Sequence, residues 1–315
     1  MATDRATVLV TGQLPSSALA LLGDVDVRTV DGTTNRQAFL EAARGVDAMM
    51  TFVTDTVDAA LLDAAGPALK IVANVAVGFD NIDVAATRPH GIVVTNTPDV
   101  LNGAVAELTW GLIFAIARRI GESDRLVRRG DWHGWAFDFM TGMELAGKTL
   151  GIIGKGRIGR DVARRAAAFD MRVVFGGREA GGEVDGHPVF AIDDVLAMAD
   201  VVSLHVPGRP DTRHLIDARA LDLMKPTAYL INTARGIVVD EAALVEALRT
   251  RRIAGAGLDV FEREPVVHPG LIGLDNVVLL PHIGSATVEA RTAMAELAAR
   301  NVAAVLAGRP PVTPV

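Results

Sequence analysis

The sequence contains no cysteine, and this absence removes several classes of chemistry from consideration. Disulfide cross-links, thiolate metal sites and cysteine nucleophiles are all excluded. A chain without cysteine fits the reducing cytoplasm, which is the location that we expect. The first residues, Met1 to Arg5, also lack the apolar stretch of a secretory signal.

Long apolar runs and basic blocks are absent as well. The longest apolar candidate, residues 108–117, ends in Arg118 and Arg119 and is shorter than the roughly 20 residues needed to span a bilayer. The net charge of -7, without a basic cluster, argues against a nucleic-acid surface. Half of the 315 residues are hydrophobic and 22% are charged, which is typical of a globular chain long enough for two domains.

A glycine-rich turn is the most informative stretch that is present. Apolar residues 150–153 predict a buried strand, and residues 157–168 predict a helix with one apolar face. Between them, Gly154 permits a sharp turn, Gly156 leaves room for a pyrophosphate, and Gly159 lets the helix pack closely on the strand. An ordinary glycine-rich turn is the alternative interpretation. The order strand, turn, helix favours dinucleotide binding at the helix N-terminus.

Short apolar strands alternate with helical segments on both sides of this turn. The predicted strands are residues 7–10, 25–30, 48–53, 70–74, 92–95, 149–153, 171–175, 200–206, 228–233, 255–259 and 276–280. The predicted helices include residues 15–22, 36–44, 103–120, 157–168, 193–198, 217–223, 240–249 and 287–305. This alternation predicts an α/β fold with two doubly wound parallel-sheet domains.

The domain boundaries are expected at two crossings of the chain. Pro98 breaks a strand and Asn102 is a plausible helix N-cap, so the first crossing is placed there. The last predicted helix is expected to return to the first domain. We therefore predict a Rossmann cofactor domain, residues 102–283, inserted in a flavodoxin-like substrate domain, residues 1–101 plus 284–315. A ligand cleft is expected where the carboxyl ends of both sheets face each other.

Three reactive side chains follow predicted strands of the second half: Arg235, Glu264 and His282. The carboxyl ends of parallel strands form the ligand-binding edge of an open sheet. A guanidinium can clamp an α-keto acid, an imidazole can protonate the carbonyl oxygen, and a carboxylate can orient the imidazole. Each residue also has an alternative interpretation. Arg235 could lie in a surface turn, Glu264 could be solvated, and His282 could cap the loop in which it lies. Together, downstream of a dinucleotide motif, the three favour ketone reduction.

Six stretches resemble one protein family over nearly the whole chain. They are Asn74–Asp83, Thr95–Val100, Gly147–Gly154, Ile231–Gly236, Ala256–Phe261 and Pro281–Ser285. The sequence resembles the D-isomer-specific 2-hydroxyacid dehydrogenases, and within them the glyoxylate/hydroxypyruvate reductases. The resemblance implies that Arg235 binds and polarises the keto acid, that His282 is the acid/base, and that Glu264 pairs with His282.

The same resemblance implies the binding residues. Backbone N–H groups of the segment Val75, Ala76, Val77 and Gly78 are expected to hold the substrate carboxylate, together with Arg235 and His282. The cofactor residues implied are Gly154, Lys155, Gly156, Arg157, Ile158, Gly159, Gly177, Arg178, Val206, Pro207, Thr212, Thr233, Ala234, Asp259 and Gly284. Asp259 matches the position near the nicotinamide carboxamide. His205 also ends a strand, but it is expected to be structural, and no metal is expected.

One departure from the family pattern concerns cofactor choice. The acidic residue that normally binds the adenosine ribose should stand at Gly176 or Gly177, and Arg178 follows. Without that carboxylate a 2′-phosphate meets no repulsion, and an arginine can pair with it. We therefore expect a preference for NADP(H) over NAD(H). Glu179 is the alternative, because its carboxylate could turn inwards and favour NAD(H).

Residues 123–146 combine arginines with aromatic side chains, including Trp132 and Trp135. In relatives this region builds a dimer, so a homodimer is expected, with Trp132 or Trp135 reaching towards the partner's active site. A locally packed loop is the alternative.

The expected reactions are glyoxylate to glycolate and hydroxypyruvate to D-glycerate. Two alternatives remain: a D-3-phosphoglycerate dehydrogenase without a regulatory domain, and a dinucleotide-sensing binding protein. The uncharged segment 75–78 argues against a phosphorylated substrate, and the chain ends at Val315 without a further domain.

Overall fold

The computed structural model describes residues 5–31 and 35–315, which form two compact units. One unit comprises the chain up to Leu101 together with Ser285–Val315, and the other comprises Asn102–Gly284. The expectation that the chain has no secretory signal rested largely on residues 1–4, which lie outside the described residues. In the described part of the chain, no helix is long and apolar enough to cross a membrane.

The first unit contains one parallel sheet. Elements are numbered in chain order, and its strands are β1 (Thr7–Val10), β2 (Asp26–Thr29), β3 (Ala48–Thr51), β4 (Ile71–Asn74) and β5 (Val93–Thr95). Its helices are α1 (Ser16–Leu21), α2 (Arg36–Ala42), α3 (Ala59–Ala65), α4 (Val84–Thr87) and α12 (Val288–Leu306). The described strands run in the order β2-β1-β3-β4-β5, all parallel, which is the flavodoxin-like order. Strands β3 and β4 are buried along their whole length, because helices cover both faces of the sheet.

The second unit contains the longer sheet. Its strands are β6 (Thr149–Ile153), β7 (Arg172–Gly177), β8 (Glu183–Val184), β9 (His187–Ala191), β10 (Val201–Leu204), β11 (Tyr229–Asn232), β12 (Gly255–Leu258) and β13 (Val277–Leu279). Its helices are α5 (Asn102–Ala117), α6 (Ile120–Arg128), α7 (Arg157–Ala166), α8 (Ile192–Met198), α9 (Ala218–Leu223), α10 (Glu241–Arg249) and α11 (Pro269–Ile272). The described strands follow the order β13-β12-β11-β10-β6-β7-β9-β8. Strand β6, buried throughout, lies where the strand order reverses, so the glycine turn after it lies at the switch point.

The structure confirms the predicted α/β class, with a parallel sheet in each unit. It also contains elements that the sequence patterns did not predict. Strands β8 and β9 form an antiparallel hairpin, and β9 pairs in parallel with β7. The helix predicted over residues 103–120 ends at Ala117, and Arg119 takes a left-handed conformation before α6 begins. The beginning of segment 123–146, as far as Arg128, is therefore helical.

Candidate active site

The glycine turn after β6 has the geometry of a phosphate cradle. Gly154 has a φ of 115°, and a Cβ there would lie 2.4 Å from the His205 carbonyl oxygen. A Cβ at Gly159 would lie 2.4 Å from the Gly154 carbonyl oxygen, so helix α7 could not pack so closely on the turn with any other residue. A Cβ at Gly156, the N-cap of α7, would meet open space within 4 Å. This open, N–H-rich helix end fits the pyrophosphate of a dinucleotide.

Charged side chains gather at the carboxyl end of the neighbouring strand β7. Gly176 is buried in the strand, and the Lys155 ammonium would lie 3.4 Å from a Cβ added at Gly177. The exposed guanidinium of Arg178 donates a hydrogen bond to the Asp211 carboxylate. Asp211 was not among the predicted site residues, because it lies in a different loop, 33 positions further along the chain.

The loop after β10 carries Val206, Pro207 and Thr212. The buried Thr212 hydroxyl donates to the Pro207 carbonyl at 2.7 Å and accepts from the Arg209 N–H at 2.9 Å, which fixes the loop. His205 begins this loop, and its Nε2 lies 2.8 Å from the Ser203 hydroxyl oxygen. Burial lowers the pKa of His205 to about 3, so the ring is neutral near pH 7. It is thus poorly suited to exchange protons with a substrate.

The segment after β11 carries Thr233, Ala234 and Arg235. The Thr233 hydroxyl oxygen lies 2.9 Å from that of Thr109 on α5. The side-chain oxygen of Asn232 accepts from the Ala234 N–H, and its amide nitrogen donates to the Arg235 carbonyl, both at 3.0 Å. These contacts fix the backbone from which the Arg235 side chain projects.

Glu264 and His282 are in direct contact. His282 Nδ1 lies 2.7 Å from Glu264 Oε2, and Glu264 Oε1 accepts the Phe261 N–H at 3.0 Å. Burial raises the pKa of Glu264, but the hydrogen bond and charge of His282, the Phe261 N–H and the charge of Arg235 outweigh it and hold that pKa below its ordinary value. The carboxylate therefore accepts, Nδ1–H of His282 donates, and Nε2 faces away from the pair.

Asp259 holds the loop that carries His282. Its two carboxylate oxygens accept the N–H groups of Ile283 and Gly284, each at 2.8 Å. The His282 N–H donates to the Asp259 carbonyl at 2.8 Å, and His282 itself has a φ of 54°. Burial raises the pKa of Asp259 even though these N–H groups favour the ionised form. The contact between Asp259 and the carboxamide stays a prediction.

Arg235, Glu264 and His282 lie in one unit, on segments that follow the adjacent strands β11, β12 and β13. Glu264 and His282 are in contact, and the charge of Arg235 helps to lower the pKa of Glu264. Such a set can bind an anionic keto acid and deliver a proton to its carbonyl oxygen. Within residues 5–31 and 35–315, no group of three or more His, Asp or Glu side chains could hold a metal ion.

The predicted carboxylate-binding segment lies in the other unit. The Asn74 amide donates to the Gly78 carbonyl, and the Asn96 amide donates to the Val77 carbonyl, both at 2.8 Å. The Val75 N–H donates to the Thr51 carbonyl at 2.7 Å, so this N–H is already used within the sheet. The segment is thus fixed through its carbonyl groups, and its later N–H groups are the better candidates for anion binding.

Two features define the class of protein. An open glycine turn lies at the switch point of a Rossmann sheet, and a histidine–carboxylate pair follows the adjacent strands β12 and β13. Together they define an NAD(P)-dependent oxidoreductase. The family follows from comparison with known proteins. The profile described as "D-isomer specific 2-hydroxyacid dehydrogenase, NAD binding domain" matches residues 110–284. The chain belongs to the D-isomer-specific 2-hydroxyacid dehydrogenase family.

Individual relatives match over almost their full length. A glyoxylate reductase of Thermococcus onnurineus is 47% identical, over 98% of this chain and 95% of that protein. The crystal structure of a Thermus thermophilus protein is similar with a TM-score of 0.93 and 44% identity, over 98% of this chain and 99% of that one. An NADPH-dependent glyoxylate/hydroxypyruvate reductase from Sinorhizobium meliloti, in complex with NADP and malonate, has a TM-score of 0.89 and 36% identity, over 99% and 97% of the two chains.

Proposed function

We propose that this protein reduces small 2-keto acids, converting glyoxylate to glycolate and hydroxypyruvate to D-glycerate. The observation that carries the proposal is the Glu264–His282 hydrogen bond, with the charge of Arg235 acting on the same carboxylate. Glyoxylate reductases with almost half of their residues identical over nearly the whole chain support the choice of substrate class.

Each residue of this set then has one task. Arg235 binds the keto acid through its guanidinium and draws electron density towards the carbonyl oxygen. His282 Nε2 gives its proton to that oxygen, while Nδ1–H stays hydrogen-bonded to Glu264. Glu264 remains ionised and stabilises the protonated ring before transfer. A bound nicotinamide supplies the hydride for the carbonyl carbon. The product is the 2-hydroxy acid, and the ring recovers its proton from solvent.

The substrate carboxylate is assigned to backbone N–H groups of Ala76, Val77 and Gly78. Because the Val75 N–H already donates to Thr51, we omit it from this set. The uncharged segment suits a small carboxylate better than a phosphate monoester, which supports glyoxylate and hydroxypyruvate over a phosphorylated substrate.

The proposed cofactor is NADP(H), with NAD(H) as the weaker substrate. Arg178 and Lys155 place positive charge at the end of β7, where Gly176 and Gly177 supply no carboxylate. The Sinorhizobium reductase described as NADPH-dependent supports the same preference.

Initial rates with NADPH and NADH, each with glyoxylate, hydroxypyruvate and pyruvate, test the proposed substrates and the proposed cofactor preference. A higher kcat/KM for NADH would reject the cofactor preference. Tight cofactor binding without turnover of any keto acid would instead favour a dinucleotide-sensing protein.

A homodimer and a cytoplasmic location complete the proposal. Trp135 and Phe137 are 82% and 89% exposed, and Trp110, Phe114 and Phe169 line an apolar groove in the same unit. A second copy could bury both surfaces together. Light scattering tests this arrangement, and a monomer at assay concentration would reject it.

A further inference from the structure

The Arg178–Asp211 ion pair joins two loops at the carboxyl edge of the second sheet. Arg178 directly follows β7, and Asp211 belongs to the loop after β10. The hydrogen bond from Arg178, and more weakly the charge of Arg209, lower the pKa of Asp211, so its carboxylate is ionised near pH 7. The guanidinium proposed to receive a 2′-phosphate therefore already faces an anion supplied by the protein.

The backbone beside Asp211 is held firmly. Thr212, the next residue, is 8% exposed, and its hydroxyl bridges the Pro207 carbonyl and the Arg209 N–H. The Thr212 N–H also donates to the Arg209 carbonyl at 3.0 Å, and the His214 N–H donates to the Ile237 carbonyl at 2.8 Å. The loop cannot easily carry the carboxylate away, so an anion arriving at Arg178 must share the guanidinium with Asp211.

We propose that Asp211 is a specificity-determining residue that discriminates against the 2′-phosphate of NADP(H) and favours the 2′-hydroxyl of NAD(H). A ribose hydroxyl can donate to a carboxylate, whereas a phosphate is repelled by it. This is the task usually performed by an acidic residue at the end of β7, where this chain has Gly176 and Gly177. Asp211 performs it from a different loop.

Arg178 and Asp211 thus act in opposite directions on the same cofactor position. Arg178 attracts the 2′-phosphate, the Lys155 ammonium lies close to Gly177, and Asp211 moderates the attraction by Arg178. The inference rests on the proposed binding of NADP(H), and it predicts that the natural preference is weaker than these cations alone would give. Because the ion pair is largely exposed, removing its carboxylate should strengthen phosphate binding by roughly two- to fivefold rather than by orders of magnitude.

The test compares two ligands that differ only in the 2′-phosphate, 2′,5′-ADP and 5′-AMP. Isothermal titration measures their Kd on the full-length protein and on Asp211→Asn, with NADP⁺ and NAD⁺ as the complete cofactors. Asp222→Asn is the matched control, because Asp222 forms a similar exposed pair with Arg252 before β12 begins, at the opposite edge of the sheet. We expect Asp211→Asn to tighten 2′,5′-ADP and NADP⁺ binding without tightening 5′-AMP, and Asp222→Asn to change neither.

Unchanged or weaker binding of 2′,5′-ADP by Asp211→Asn would overturn the inference, since Asp211 would then be neutral or would serve to orient Arg178. Equal tightening of both ligands would also overturn it. The variant Arg178→Ala distinguishes failure of the inference about Asp211 from failure of the proposed cofactor preference. If Arg178→Ala binds 2′,5′-ADP as the wild type does, the role of Arg178 is wrong whatever Asp211→Asn shows.

Discussion

The buried imidazole of His205 leads to a quantitative prediction about stability in acid. Burial lowers the pKa of this ring to about 3, against an ordinary value of 6.5. Between these values the unfolded chain binds a proton at His205 and the folded protein does not. Protonation of His205 therefore does not reduce the free energy of unfolding well above pH 6.5. Below that pH it reduces this free energy progressively, down to about pH 3. At pH 5 the linkage relation gives a loss of about 2 kcal/mol from this residue alone.

The comparison of wild type with His205→Gln isolates this contribution. Urea unfolding followed by circular dichroism at about pH 7.5 and about pH 5 gives the acid-induced loss for each protein. We expect wild type to lose up to about 2 kcal/mol more than His205→Gln, an upper limit because the residue keeps some exposed surface. His133→Gln, at an exposed position of the same unit, is the control and should behave as wild type does.

Equal acid sensitivity of wild type and His205→Gln would refute this reasoning. The same variant also separates the two histidines that follow strands. Because a neutral, buried ring is a poor proton donor, His205→Gln should keep most of its kcat with glyoxylate.

Three further substitutions test the site and the close packing beneath it. Glu264→Gln removes the charge while keeping the shape, and should lower kcat roughly 10- to 100-fold with the Kd for NADPH unchanged; an unaltered kcat would show that the charge is dispensable. Arg235→Lys keeps the charge but loses the planar fork, and should lower kcat/KM for glyoxylate at least about tenfold, so near-normal kinetics would count against a bidentate clamp. Gly236→Ala would place a Cβ 1.8 Å from the Phe261 carbonyl carbon and should lower the free energy of unfolding by more than about 1 kcal/mol. The control Gly273→Ala adds a Cβ that meets nothing within 4 Å and should leave stability unchanged, so equal urea midpoints of the two variants would contradict this expectation.

The buried parallel strands were predictable because their apolar runs are continuous. Strand β6 is buried at every position, and such a run, followed by glycines and an amphipathic helix, leaves few alternatives. The contact between Glu264 and His282 could be predicted for the same reason, since parallel strands end at one edge of the sheet. The joint role of Arg235 with this pair stays a prediction.

The β8–β9 hairpin shows what apolar patterning misses. Strand β8 is two residues long, too short for alternation to register. A signal was nevertheless present: Asp185 and Gly186 both have positive φ, at 50° and 79°, and an Asp-Gly pair is a strong indicator of a tight hairpin turn.

Long-range polar contacts could not be read from the sequence. The pairing of Arg178 with Asp211 joins loops of two different strands, and nothing in either loop identifies the other. Likewise, the resemblance assigned Asp259 to the cofactor, and it gave no indication that this carboxylate also accepts the N–H groups of Ile283 and Gly284. Hydrogen-bond geometry in three dimensions, rather than residue type, decides which groups such a carboxylate serves.

In the proposed reaction, His282 supplies the proton while a keto acid is reduced. The most direct test of this role is the rate of NADPH oxidation with saturating glyoxylate, measured for wild type and for His282→Asn after equal NADPH binding has been verified. We expect rapid turnover by wild type and a fall in kcat of roughly 10²- to 10⁴-fold in the variant. A variant that turns over glyoxylate at a rate close to that of wild type would contradict it.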